Sequence, residues 1–168
     1  GFDFIEIMTA HGYLMHQFLS EHTNKREDEY GGSETNRLRF LRNIIEKVKN
    51  KVDTSKLAAK VTGNDFLPKG LNFSKIGFLI NMLDSYNFAY YQVTAGIYET
   101  AKQKYIHMKK GAYWEYAKEL KKLTKTPVMA QGGITSLKEG ENIIKNNQSD
   151  FWGMAQALIA DPQLVTKT

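Results

Sequence analysis

Cysteine is absent from the 168 residues. That excludes disulfides, thiolate metal sites and a cysteine nucleophile, and it agrees with a reducing, cytoplasmic setting. No apolar run approaches the roughly 20 residues of a membrane helix, so a membrane-spanning role is not expected. No G-x-G-x-x-G follows a strand-like segment, which argues against a dinucleotide-binding open sheet. Low-complexity tracts and internal repeats are also missing. Charge is only mildly unbalanced, with 23 cations against 18 anions. The lysines sit in helix-like segments with intermixed acids, as at 46–51 and 118–122, and read as solvated faces. No basic stripe with interleaved aromatics occurs, so nucleic acid is not an expected partner.

What is present is alternation. Short apolar runs at 2–8, 57–62, 89–94, 128–131 and 151–155 read as strands. Between them, 34–52, 72–85, 111–122 and 137–145 read as amphipathic helices, and a last helical turn is expected after Pro162. Leu38, Leu41, Ile45 and Val48 form one stripe, and Phe73, Ile76, Leu79, Ile80 and Leu83 another. Strand–helix repetition predicts parallel strands with right-handed crossovers, an α/β class. The pattern alone does not separate a barrel from an open sheet. Two long loops, 9–33 and 95–110, follow strand carboxyl ends, where such folds place their sites.

The loop after the first strand opens His11-Gly12-Tyr13 and closes Tyr30-Gly31-Gly32-Ser33, with Asn36-Arg37 following. A phenol can give a proton, and an imidazole can donate a hydrogen bond to a carbonyl oxygen. Lys60 lies inside a strand, where a cation needs an anion or solvent. Gln131-Gly132-Gly133 follows the fourth strand, and bare glycines let the backbone approach an anion. Gly153 to Pro162 reads GMAQALIADP.

Together these blocks resemble the old yellow enzyme family, FMN-dependent oxidoreductases on a (β/α)8 barrel. The resemblance runs from Phe2 to Pro162. It implies a partial TIM barrel, strands four to eight with their helices, in one domain over 1–168. Strands one to three would be absent, since a whole barrel needs roughly 250 residues. A chain that begins with glycine on a strand is expected to be part of a longer protein.

The resemblance further implies FMN and NAD(P)H as cofactors and a small-molecule substrate, an electron-poor alkene. Tyr13 would deliver the proton and His11 would orient the substrate carbonyl. Lys60 would stand near the flavin and tune it, while Gly132, Gly133, Ala155 and Gln156 would line its phosphate. Three positions depart from the family pattern. Met8 stands where many members have histidine, Lys60 where arginine is usual, and Gln156 where arginine holds the phosphate. A non-catalytic relative serving as a ligand-binding or interaction module is the alternative these departures favour. Further expected partners are the missing part of the barrel and further copies of the chain as a homo-oligomer. The isolated chain is expected to bind FMN weakly or not at all, to be inactive, and to present open strand edges.

Ser33 is expected to cap a helix, and Arg37 or Arg39 to pin the loop before it. His16 and His22 match no zinc spacing. His107, near Tyr105 in the 95–110 loop, and Tyr98 are further candidates for substrate contact, and Tyr90 and Tyr91 are read as packing residues.

Overall fold

The computed structural model describes residues 2–100, 111 and 113–167. Five strands form one sheet: β1 (Ile5–Met8), β2 (Leu57–Thr62), β3 (Tyr90–Thr94), β4 (Val128–Ala130) and β5 (Phe151–Trp152). All four neighbouring pairs are parallel. Their spatial order is the chain order, β1-β2-β3-β4-β5. That order settles what the pattern left open. A doubly wound sheet reverses direction at a switch point, whereas unbroken sequential order is the arrangement of a barrel wall. The chain is a partial TIM barrel.

Helices α1 (Leu14–Leu19), α2 (Glu34–Val48), α3 (Gly77–Asp84), α4 (Trp114–Leu120) and α5 (Leu137–Lys145) lie between the strands, and α6 (Gln156–Ala160) follows β5. Side chains alternate between strand faces. Leu57, Ala59, Val61, Tyr91, Val93, Val128 and Ala130 are buried in the core with Leu38, Leu41, Ile45, Leu79, Ile80 and Leu83 of α2 and α3. The alternate residues Glu6, Lys60, Gln92 and Gln131 are left to the concave inner wall. At the lower end of that wall the rings of Phe4, Tyr90 and Phe151 meet edge to face, with centroids 5.8 and 5.3 Å apart.

Several expected bounds need correction. The 9–33 segment is not loop throughout, because α1 lies within it. The fifth strand ends at Trp152, not Ala155, and α6 follows it over a stretch for which no element was expected. The helix expected over 72–85 begins at Gly77. Ser33 caps α2 as expected, its hydroxyl accepting from the Asn36 amide at 3.2 Å. Arg37 pins the preceding loop by donating to the Leu19 carbonyl at 2.9 Å and pairing with Glu21 at 3.3 Å.

The amino-terminal end of the wall is tied by phenols. Tyr91, Thr124 and Thr126 all donate to Asp84 Oδ1, at 2.8, 2.7 and 3.0 Å. Tyr86 donates to Glu46 Oε1 at 2.6 Å. Burial, then the Glu46 bond, pushes the Tyr86 hydroxyl up to about 12. Burial and then Asp84 push that of Tyr91 still higher. Unfolded tyrosine ionises near pH ~10. Values raised in the folded state contribute stability that is complete below that pH and lost as pH rises through the folded values. The melting temperature is therefore expected to fall from about pH 10 upward. A Tyr86→Phe/Tyr91→Phe double variant should show a shallower alkaline decline in the same thermal scans.

Candidate active site

The loops at the strand carboxyl ends enclose two adjoining hollows. The first, about 560 Å³, is lined by His11, Lys60, Gln92, Thr94, Tyr113, Gln131, Gly132, Gly133, Gly153, Ala155 and Gln156, among others. The second, about 660 Å³, is lined by His11, Gly12, Tyr13, Gln17, Gly96, Ile97 and Tyr98. His11 belongs to both. The structure thus brings together Lys60, Gly132, Gly133, Ala155 and Gln156, while Tyr13 stands in the neighbouring compartment.

Strand registry explains the first hollow. Lys60 pairs in register with Met8 on one side and Gln92 on the other. Its ammonium faces inward and meets Glu6 Oε1 at 3.2 Å, with both side chains largely buried. Lys60 is therefore an inner-wall residue, not a lysine turned out at an edge, and a carboxylate already answers its charge. The same carboxylate acts on Tyr90, whose hydroxyl is pushed up by burial first and by Glu6 second. Next to Lys60, the Gln92 amide donates to Gln131 Oε1 at 2.7 Å.

Gly132 has φ +96°, a conformation side chains avoid, and a Cβ there would lie 2.5 Å from the Tyr113 ring. The bare backbone at this turn is thus required by its neighbour. Trp114 fixes the turn by donating its indole N–H to the Gly132 carbonyl at 2.9 Å. Tyr113 stacks on Tyr116, and burial raises its hydroxyl.

On the other side, His11 and Gly12 both adopt positive φ, +63° and +78°. Consecutive left-handed residues make the sharp exit that turns Tyr13 outward, where it is 62% exposed. Thr94 Oγ1 lies 3.1 Å from His11 Nε2. A parallel bridge links His11 with Ile97 and brings Tyr98 to the second hollow. Met8 is half-buried on β1. Tyr105 and His107 lie outside the described residues.

Gln92, Gln131, Thr94 and Tyr113 escaped the sequence reading. Gln92 carried a signal, since it is the one amide within an otherwise apolar and hydroxyl-bearing strand run. Gln131 stands beside the glycine pair, and that adjacency is its signal.

The donors suit a flavin mononucleotide. An ammonium, three carboxamides and a bare glycine turn surround one hollow, offering hydrogen bonds to carbonyl oxygens and phosphate. Among the described residues lining it, Lys60 is the one lysine or arginine, so phosphate would meet amides and backbone in place of a second fixed cation.

The family model for NADH:flavin oxidoreductase / NADH oxidase proteins matches residues 1–168. An NADPH dehydrogenase of Bacillus velezensis is 35% identical over 170 residues, covering 96% of this chain and 47% of that protein. A metal reductase of Desulforamulus reducens is 34% identical over 169 residues, covering 99% of this chain and 25% of that protein. The solved structure of 2-naphthoyl-CoA reductase with 2-naphthoyl-CoA superimposes with a TM-score of 0.87 at 26% identity, over 99% of this chain and 26% of that one. The chain therefore spans between a quarter and about half of the relatives it matches.

Proposed function

This chain belongs to the NADH:flavin oxidoreductase / NADH oxidase family, and on that footing we propose that it supplies the second part of an FMN-dependent NAD(P)H oxidoreductase barrel acting on electron-poor alkenes. The observation that carries the reading is the pair of adjoining hollows joined at His11. One offers Lys60, Gly132, Gly133, Ala155 and Gln156, and the other offers Tyr13.

When bound, FMN would supply the hydride-transfer centre linking NAD(P)H to the alkene. Lys60 would place positive charge beside the isoalloxazine, moderated by Glu6. Gly132, Gly133, Ala155 and Gln156 would hold the phosphate. His11 would orient the substrate carbonyl from the shared wall of the two hollows. Tyr13 would give its phenolic proton to the carbon opposite the one that receives the hydride, and would recover a proton from water at its exposed edge.

The first three strands would complete the flavin site and cover the β1 edge, where Phe4 and Ile5 are exposed. By itself the chain is inactive in this reading and holds FMN loosely. In the isolated chain the uncovered edges would be where copies associate as a homo-oligomer. The proposed setting is cytoplasmic and the proposed partner a small molecule; among the described residues no helix is long and apolar enough to cross a membrane.

The test is spectroscopic. The purified chain, soaked in FMN and dialysed, is expected to lose its yellow colour, and stoichiometric retention would contradict the half-site. The longer protein carrying this chain should retain FMN and oxidise NADPH when given 2-cyclohexenone. A folded but colourless longer protein would overturn the reading in favour of a ligand-binding module.

A further inference from the structure

We propose that His16 is a positioning residue for the His11–Tyr13 loop, acting through the amide of Gly12. It lines neither hollow and is 1% exposed, as is Asp65. The Gly12 N–H donates to His16 Nδ1 at 2.7 Å. A ring nitrogen that accepts carries no proton, so the imidazole proton sits on Nε2. From there it is donated to Asp65 Oδ2 at 3.0 Å. Asp65 is itself fixed, taking the Leu71 amide at 2.6 Å and the Thr62 hydroxyl at 3.0 Å. Its carbonyl accepts from Thr100 at 3.2 Å, in the turn that carries Tyr98.

Gly12 is gripped from both ends, because its carbonyl accepts from the Gln17 amide at 2.7 Å. It lies between the two residues assigned to the substrate, in a backbone stretch with two successive positive φ angles. Such conformations persist only where their surroundings hold them. The chain Asp65–His16–Gly12 is that hold. It ties the first loop to the loops after β2 and β3, so that His11 and Tyr13 face one place. That His16 fixes the loop stands on geometry alone, whereas its effect on turnover rests on the function proposed above.

Two substitutions divide the two bonds. His16→Asn keeps an acceptor near the Nδ1 position and loses the donor to Asp65. His16→Gln keeps a donor near the Nε2 position and loses the acceptor for Gly12. Amide hydrogen exchange of Gly12, read by NMR on this chain, is expected to be about fivefold or more faster in H16Q than in H16N. A merely structural histidine would give exchange rates that follow overall stability, and equal Gly12 rates in the two variants would overturn the proposal. The unsubstituted chain provides a measurement that survives misfolding of either variant. Long-range proton–nitrogen spectra should show the Nε2–H tautomer for His16, and an Nδ1–H tautomer would overturn the proposal. In the longer FMN-bound protein, H16Q is expected to lower turnover of 2-cyclohexenone about tenfold, with flavin reduction by NADPH unchanged. Faster Gly12 exchange with unaltered turnover would uphold the anchor and overturn the catalytic assignment of His11 and Tyr13.

Discussion

Tyr13→Phe, in the longer protein with FMN bound, is expected to slow reduction of 2-cyclohexenone by about 10²-fold or more, the usual worth of a positioned general acid. Bleaching of the flavin by NADPH should be unchanged, because that half of the cycle needs no proton from Tyr13. The ring that remains keeps the apolar lining of the second hollow, so KM for the enone should move little. Stopped-flow spectra separate the two half-reactions. Equal loss in both would mean that Tyr13 shapes the site instead of supplying a proton.

The second large effect concerns stability. Asp65→Ala removes the acceptor shared by the His16 ring, the Leu71 amide and the Thr62 hydroxyl. Each buried donor left unpaired costs about 1–3 kcal/mol, so the three together cost on the order of 3–9 kcal/mol. That is a large share of the roughly 5–15 kcal/mol that holds a domain folded. Urea unfolding followed by the fluorescence of Trp114 and Trp152 is expected to show the loss. Asp65→Asn, which retains one acceptor oxygen, should lose about half as much. A change below about 1 kcal/mol for Asp65→Ala would mean that water replaces the carboxylate, and that the network is not the anchor described.

Much of the wall was legible because its determinants are local. Leu57–Thr62 is a strand in both readings, since a short apolar run has few other places to go. Leu137–Lys145 likewise keeps its bounds, with Ser136 capping it and Glu139 reaching back to the Thr135 amide at 2.8 Å. The missed boundaries arise from competing local bonds. Asn72 accepts from the Ser74 amide and hydroxyl at 3.1 and 2.7 Å, and this turn delays α3 to Gly77. Gly111, with φ +73°, cannot start the helix expected there, which begins at Trp114. Six residues are too few for periodicity to reveal α1.

Residues of the candidate site were found where a motif carried them. Lys60, Gly132 and Gln156 came from family-like blocks, and the registry of β1, β2 and β3 then placed Lys60 inward. His16 and Asp65 were not legible as a pair. They lie 49 positions apart, and nothing in either neighbourhood marks a partner. The Glu6–Lys60 pair was hidden for a similar reason, since it needs the parallel register of β1 on β2 before the two side chains share a face.

The proposed function requires that the carboxyl ends of these strands form a flavin-binding rim. Titration of the labelled chain with millimolar FMN, followed by amide NMR, tests it most directly. Saturable shifts are expected to gather at Lys60, Gln92, Gly132, Gly133 and Gln156. Shifts gathered instead around Asp84, Lys122 and Thr126 at the opposite end of the wall would contradict it.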